Sequence, residues 1–168
     1  MQNFLNKYNI QYFYHFTDKS NLESIQKNGL FSLANIQEQN LNVVFGGNDW
    51  SHQADFKTGL NKYVRLAFNM NHPMEYRARQ DNRIKNTIWL KIDTKIIFQE
   101  GVKFSNEVSI KSGTKIYDIS DIQKDLDSET LFVPPFDWSS QKYKDANKSE
   151  LLIPHHIPTS FIKGYING

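Results

Sequence analysis

The sequence predicts an α+β fold with a mainly antiparallel sheet or a pair of such sheets. Short runs that alternate apolar and polar side chains, as half-buried strands do, recur along the chain, whereas few runs have helical spacing. No segment of roughly 20 to 50 residues repeats, and no Pro- or Gly-rich linker interrupts the chain. We therefore expect residues 1–168 to form one domain.

The first two predicted elements adjoin. Residues 11–16 predict a short strand, and residues 17–30 predict a helix that follows it at once. Thr17 or Asp18 can cap this helix, because both side chains accept hydrogen bonds from free amide groups. Gly29 can end it, because glycine adopts the left-handed conformation at little cost.

Residues 31–62 predict no clear element. Their periodicity is poor and turn signals are frequent, which is typical of a segment that is functional or mobile. Gly46 and Gly47 match neither the dinucleotide-binding glycine pattern nor a phosphate-binding loop, so we expect a turn there.

The remainder of the chain predicts further short strands and two helices. In one of these strands Ile88, Leu90 and Ile92 alternate with Trp89 and Lys91, which is the period of a strand. The strands are expected at residues 63–69, 87–92, 102–104, 114–117, 131–133, 150–153 and 161–166, and the helices at residues 73–80 and 118–127.

The composition excludes several classes of site. The chain has no cysteine, which rules out a disulfide scaffold, a thiolate zinc site, an iron–sulfur cluster and a cysteine nucleophile. Its 20 Lys and Arg against 18 Asp and Glu give a net charge of +2, too small to indicate nucleic-acid binding by itself. No signal pattern opens the chain, and no apolar stretch approaches the roughly 18 residues of a spanning helix. We therefore expect a cytoplasmic protein without membrane contact.

His15 and Thr17 are the first candidate binding residues. They stand two positions apart at the junction of the first strand and helix, so their side chains point to the same side. Amide groups at the start of the helix would face the same place and favour a phosphate. The alternative is a histidine hydrogen-bonded in the core beside a capping threonine.

Glu150 is the candidate catalytic carboxylate. It begins an apolar strand directly after a polar, lysine-rich loop at residues 139–149, which places it at the rim of the sheet. A carboxylate in such a position can act as an acid or base. The alternative is a solvated glutamate at a strand end.

Positive charge is concentrated locally. Three of the four arginines, Arg77, Arg79 and Arg83, lie within seven positions, and Lys142 and Lys144 add charge to the loop before the last apolar strands. Such a cluster can hold a nucleic-acid backbone. The alternative is an ordinary solvated surface.

We expect no metal site. His155 and His156 are adjacent, so on a strand they would face opposite sides of the sheet, and no third ligand has suitable spacing.

Three motifs occur in a recognisable order. They are YHFTDxxNLxxIxxxGL at residues 14–30, YVxLxF at residues 63–68 followed by PMxY at residues 73–76, and SELLI at residues 149–153 with IP and FI behind it. This order resembles that of the DarT family of NAD-dependent DNA ADP-ribosyltransferases. The resemblance touches most of the chain from residue 12 to residue 166.

The resemblance implies an ADP-ribosyltransferase fold in which two small sheets grip NAD in a cleft. It implies the toxin of a toxin–antitoxin pair, which modifies a base in single-stranded DNA and whose macrodomain antitoxin removes the mark. By the same resemblance His15 and Thr17 would hold the NAD ribose, Asn21 would be a further NAD contact and Tyr76 would lie near the nicotinamide. Glu150 would be the catalytic carboxylate.

One departure from the family leaves alternatives open. The family has a functional arginine between the first helix and the second strand, but residues 31–62 contain no arginine. We expect Arg65, on the next strand, to take that role. The alternative functions are ADP-ribosylation of RNA or protein, and an inactive NAD-binding module, which the missing arginine would favour.

Overall fold

The computed structural model describes residues 1–109, 111 and 113–168. Its strands are short, as the sequence predicts, and helices are more numerous than expected. The strands are β1 (Tyr12–Asp18), β2 (Leu30–Phe31), β3 (Tyr63–Ala67), β4 (Thr87–Asp93), β5 (Lys103–Ser105), β6 (Ile116–Asp118), β7 (Glu150–Pro154), β8 (His156–Ile157) and β9 (Ile162–Asn167). The helices are α1 (Gln2–Lys7), α2 (Leu22–Asn28), α3 (Leu33–Glu38), α4 (Asp49–Thr58), α5 (Pro73–Gln80), α6 (Ile122–Asp125), α7 (Ser128–Phe132) and α8 (Gln141–Ala146).

Within these described residues the strands form two antiparallel sheets of unequal size. The larger has the order β6-β5-β7-β3-β1-β4-β9, and the smaller pairs β2 with β8. Strands β7, β3 and β1 are neighbours in this order, although they are far apart in sequence. Glu150 stands opposite Ala67, which in turn stands opposite Tyr14, one residue before His15. The topology therefore brings the candidate residues of the first and last motifs to one region of the sheet.

The core is built on the central strands. Phe13 of β1, Leu90 of β4 and Leu151 of β7 are fully buried. The first four residues of β4 are buried in succession, so both faces of this strand are covered. Burying these side chains fixes the register of the strands, because a slip by one residue would exchange the two faces.

The predicted α+β class is confirmed, and several element boundaries agree closely. The helix expected at residues 73–80 is α5, and the strands expected at residues 87–92 and 150–153 each extend by one residue. No helix among the described residues is both long and apolar enough to cross a membrane.

Three local predictions are wrong. Residues 131–133 were expected to be a strand, but α7 covers Ser128–Phe132, and the Asp127 side chain caps it by accepting from the Thr130 amide at 3.3 Å. Residues 31–62 contain α3 and α4, where no element was expected. The apolar residues of α4 do not form a buried face, since Trp50 and Phe56 are both exposed, so periodicity could not indicate the helix. The third error concerns the first helix, which begins at Leu22 after a 3₁₀ turn rather than at residue 17.

Asp18 ties the end of β1 to the loop that precedes β4. Its Oδ1 accepts from the Ser20 amide at 2.9 Å and from the Ser20 hydroxyl at 2.7 Å. Its Oδ2 accepts from the backbone amides of Lys85 at 2.9 Å and Asn86 at 3.1 Å. Burial opposes the charge, but these hydrogen bonds outweigh it and lower the pKa of Asp18 to about 2.

We expect Asp18→Asn to lower the free energy of unfolding by about 1–3 kcal/mol, because an amide cannot replace a charged acceptor of four hydrogen bonds. The pKa is lower in the folded than in the unfolded chain, so this stabilisation is complete above about pH 4 and is lost toward pH 2. Urea unfolding at neutral pH and near pH 2 measures both effects. Asp121→Asn, at an exposed position, is the control. If the free energies of unfolding of wild type and Asp18→Asn differed equally at both pH values, the lowered pKa of Asp18 would be contradicted.

Candidate active site

A cavity of about 220 Å³ opens beside β1, β3 and β7. Part of its lining is polar and includes the candidate residues His15, Thr17, Asn21, Arg65 and Glu150. Much of the remaining lining is apolar and comes from residues 29–47. The structure thus brings five of the residues singled out in the sequence to one cavity. The cavity has the mixed polar and apolar lining that is typical of ligand sites.

His15 is oriented by the neighbouring strand. Its Nδ1 lies 2.9 Å from the backbone carbonyl oxygen of Arg65. Because a carbonyl only accepts, Nδ1 carries the proton and Nε2 is left as an acceptor. Burial lowers the pKa of His15, with the carbonyl acting in the opposite direction, so the ring is neutral near pH 7. His15 is therefore bonded to the sheet and also lines the cavity.

Thr17 and Asn21 connect β1 to the apolar lining. The Asn21 Nδ2 donates to the Thr17 hydroxyl at 2.9 Å and to the Val44 carbonyl at 2.8 Å, and its Oδ1 accepts from the Val44 amide at 2.9 Å. The amide of Asn21 thus holds the chain at Val44 much as a neighbouring strand would. The Thr17 oxygen accepts one of these bonds, which leaves its hydroxyl proton free to be donated.

Glu150 is buried at the start of β7, with 5% of its surface exposed. Its Oε2 accepts from the Ser109 amide at 2.8 Å, and Nε of Arg65 lies 3.5 Å from the same oxygen. Its Oε1 lies 3.9 Å from Nε2 of His72. Each carboxylate oxygen thus faces a different group, and the carboxylate is not the solvated strand-end glutamate of the alternative interpretation.

Arg65 is held by hydrogen bonds beside Glu150, and together these groups form one network. Its two terminal nitrogens donate to the two carboxylate oxygens of Asp55 on α4, one of them at 2.9 Å, and its Nε donates to the Ser109 hydroxyl at 2.8 Å. Burial acts against the charge, but the Glu150 and Asp55 carboxylates outweigh it and raise the pKa of Arg65. Arg65 therefore lies at the site, as expected, with its donors turned to protein groups.

Sequence reasoning missed three residues of this network, Asp55, Ser109 and His72. Asp55 lies on α4, which the periodicity did not indicate, and Ser109 contributes both its amide and its hydroxyl from a loop. His72 directly precedes the proline of the second motif, a position that favours the start of a helix. That helix-start signal could have singled out His72 as a cap, but it could not have shown that the ring faces Glu150.

Tyr76 does not line the cavity. Its side chain, on α5, is exposed over 57% of its surface, and Met74 of the same helix is the residue that reaches the lining. The structure therefore does not bring Tyr76 together with the other predicted NAD contacts.

Four of the five predicted cationic residues lie on two helices, and Arg83 follows α5 in the loop before β4. Arg77 and Arg79 are on α5, and Lys142 and Lys144 are on α8. A hydrogen bond of 2.6 Å from Asn69 to Asn147 links the loop before α5 to the end of α8. This hydrogen bond connects the segments next to the two charged helices.

Several of these charges are already paired. Arg79 contacts Glu75 at 2.8 Å, Arg83 contacts Asp81 at 2.9 Å, and Lys142 contacts Asp127 at 3.2 Å. Over residues 1–109, 111 and 113–168, Arg77 and Lys144 are exposed and form no such ion pair. These two residues have the free charge that a nucleic-acid backbone would require.

His156 is held by structural contacts, whereas the side chain of His155 is exposed. His155 has a positive φ of 59° and lies between β7 and β8. Nε2 of His156 lies 2.7 Å from the Asn28 carbonyl, and the ring stacks on Phe31. In the part of the chain that the structure describes, no three carboxylate or imidazole groups cluster as a metal site requires.

Solved structures of low sequence identity share this fold. Thermosipho africanus DarTG in complex with ADP-ribose matches with a TM-score of 0.72 and 20% identity, over 92% of this chain and 43% of that chain. Thermus sp. 2.9 DarT in complex with carba-NAD+ matches with a TM-score of 0.65 and 16% identity, over 93% of this chain and 81% of that chain. The same Thermus protein in complex with ADP-ribosylated ssDNA matches with a TM-score of 0.67 and 15% identity, over 94% and 81%. The ADP-ribosyltransferase fold expected from the sequence is thereby confirmed.

The family assignment rests on the sequence itself. No curated protein matches the chain at a significant level. The profile of a family described as "ssDNA thymidine ADP-ribosyltransferase, DarT" matches residues 14–166, which include all three motifs. Because this match covers nearly the whole chain and its fold agrees with that of solved DarT structures, the chain belongs to the DarT family.

Proposed function

We propose that this chain transfers ADP-ribose from NAD to a thymidine base of single-stranded DNA and releases nicotinamide. The observation that carries the proposal is the buried Glu150 at a cavity that His15 and Thr17 also line, in a chain of the DarT family. The related Thermus protein has been solved with NAD+ and with ADP-ribosylated ssDNA, which are the donor and the product of this reaction. NAD acts as co-substrate.

The bond changes balance without a further reagent. The bond between the nicotinamide nitrogen and the ribose carbon breaks, and its electron pair leaves with neutral nicotinamide. A ring nitrogen of the base forms the new bond to that carbon, and its proton passes to the Glu150 carboxylate. Carboxylates close to a developing oxocarbenium ion stabilise it, as in glycoside hydrolysis.

The cavity residues suit separate parts of NAD. The free Nε2 of His15 accepts a hydrogen bond and the free proton of Thr17 is donated, so together they fit the hydroxyl groups of a ribose. Asn21 supports this end of the cavity through Val44, and its direct contact with NAD stays a prediction. The apolar residues between 29 and 47 offer surface to an aromatic base of the dinucleotide.

Arg65 is proposed to position Glu150 rather than to contact substrate. Its donors are engaged by Asp55 and Ser109, and its Nε lies 3.5 Å from Glu150. Arg65 would thus supply positive charge at the site from β3. In the family, the functional arginine lies earlier in the chain. An arginine held in this way fixes Oε2 and leaves the rest of the carboxylate to the reaction.

The proposed function is tested with NAD labelled in its adenylate group and with four oligonucleotides, each containing one type of base. We expect label only on the thymidine oligonucleotide, and about 100- to 10,000-fold slower labelling when Glu150→Gln is used. Label on RNA or protein instead would favour the alternative acceptors. Binding of NAD in calorimetry without release of nicotinamide would favour the inactive module and overturn the proposal.

The exposed cations provide a further prediction. Arg77→Gln and Lys144→Gln should each weaken binding of single-stranded DNA and reduce the slope of log affinity against log salt by about 0.7, since each contact releases counterions. Fluorescence anisotropy over a salt series measures the slope. Lys95→Gln, at an exposed position beyond the end of β4, is the control. Unchanged slopes in both variants would place the DNA elsewhere.

The remaining expectations concern the cellular setting. A macrodomain antitoxin that removes the mark, and a cytoplasmic location, stay predictions from the sequence.

A further inference from the structure

His72 is a buried polar residue whose ring has two different neighbours. It precedes α5 as its N-cap, and its surface is 4% exposed. Nδ1 accepts from the Met74 amide at 3.3 Å, so Nδ1 is unprotonated and the proton of the neutral ring is on Nε2. The cap of α5 therefore decides the tautomer.

The Nε2–H group lies near the start of β7. It lies 3.9 Å from Oε1 of Glu150, the carboxylate oxygen that neither Ser109 nor Arg65 holds. Among the described residues no partner meets both the distance and the geometry of a hydrogen bond to Nε2, and the Lys148 carbonyl lies nearby as a competing acceptor. A buried N–H without a partner is costly, typically by about 1–3 kcal/mol. Such an atom beside a catalytic carboxylate therefore needs a second explanation besides the cap.

The protonation state of the His72 ring is consistent with its donating a hydrogen bond. Burial lowers the pKa of His72, against the opposing effects of the Glu150 carboxylate and the nearby Lys148 carbonyl. A neutral ring can donate one hydrogen bond to the carboxylate without neutralising it. Glu150 thus keeps the negative charge that a developing oxocarbenium ion requires.

We propose that His72 is a positioning residue that orients Oε1 of Glu150 through its Nε2–H group, and so completes the cradle that Ser109 and Arg65 form around Oε2. This rests on the proposed function, in which Glu150 is the catalytic group. A separation of 3.9 Å is one small side-chain movement from a hydrogen bond, and such bonds often tighten only when substrate is bound. His72 also joins the start of α5, the helix that carries Arg77, to the catalytic carboxylate.

The test uses His72→Asn, because asparagine is a good N-cap but is too short to reach Glu150. Urea unfolding should show that the variant keeps its fold. Release of nicotinamide from NAD with thymidine oligonucleotide should show kcat lowered about 10- to 100-fold, the cost of a misplaced catalytic group, with KM for NAD little changed. His72→Phe, which fills the site without a donor or a cap, should lower both kcat and stability.

A double-mutant cycle separates this role from a merely structural one. Glu150→Asp keeps a carboxylate but withdraws it from Nε2, and it should leave a slow, measurable reaction. If His72 acts through Glu150, adding His72→Asn to Glu150→Asp should cause little further loss. An equal loss in both backgrounds, or an unchanged kcat in the single variant, would overturn the inference. Full activity of Glu150→Gln would instead overturn the proposed function.

Discussion

Glu150→Gln is expected to reduce transfer of ADP-ribose to DNA by about 100- to 10,000-fold, the range in which general acid–base groups contribute. The amide keeps the size of the side chain but cannot accept the proton of the attacking base nitrogen. It also removes the negative charge that would stabilise the oxocarbenium-like transition state. Initial rates of nicotinamide release, with and without oligonucleotide, measure the effect on kcat and on KM separately.

The matched control is Glu23→Gln, at an exposed position of α2 away from the cavity lining. It should leave both rates unchanged. Calorimetric binding of NAD to Glu150→Gln should persist, because the proposed ribose contacts belong to His15 and Thr17. A Glu150→Gln protein that is folded and transfers ADP-ribose at the wild-type rate would remove Glu150 from the reaction.

Arg65→Met is expected to lower the free energy of unfolding by about 3–5 kcal/mol, the cost of leaving a buried charge without its partner. Asp55 would lose both hydrogen bonds from Arg65, and Glu150 would lose the nearest positive charge. Asp55 is only 3% exposed, so water could not replace these contacts. Unfolding in urea at neutral pH gives the change in stability.

Two further variants test whether loss of the ion pair between Arg65 and Asp55 causes the fall in stability. Arg65→Lys keeps the charge but cannot donate from two nitrogens to one carboxylate, so it should be intermediate. Adding Asp55→Asn to Arg65→Met removes the unpaired charge and should recover part of the stability. If the double variant were less stable than Arg65→Met by the full effect of Asp55→Asn alone, the two residues would not be coupled.

Much of the strand structure could be predicted from the sequence alone. The strands expected at residues 63–69 and 87–92 follow from local alternation, and the strand expected at residues 150–153 follows from a short apolar run. The helix α5 follows from Pro73 at its first turn. In contrast, the strand expected at residues 131–133 was wrong, because Asp127 caps a short helix there and the local apolar run fits either structure.

The candidate site was only partly visible in the sequence. Glu150, His15 and Thr17 were identified because they stand at ends of predicted elements and in motifs that resemble those of a known family. Asp55 could not be found in this way, because α4 has no apolar face and its carboxylate matters only through Arg65 on another element. That Tyr76 is exposed could not be predicted either, since a motif gives the order of residues but not the direction of a side chain.

The sequence by itself determined the class of fold, the family and the residue types available for the chemistry, since these depend on local periodicity and on the order of motifs. Only the tertiary structure decided which groups face Glu150. Ser109, Arg65 and His72 approach it from a loop, from β3 and from the start of α5. The pairing of β7 with β3 is what brings Arg65 beside Glu150. The physical reason is that hydrogen bonds and charge interactions act over a few ångströms, and only folding fixes distances between residues that are remote in sequence.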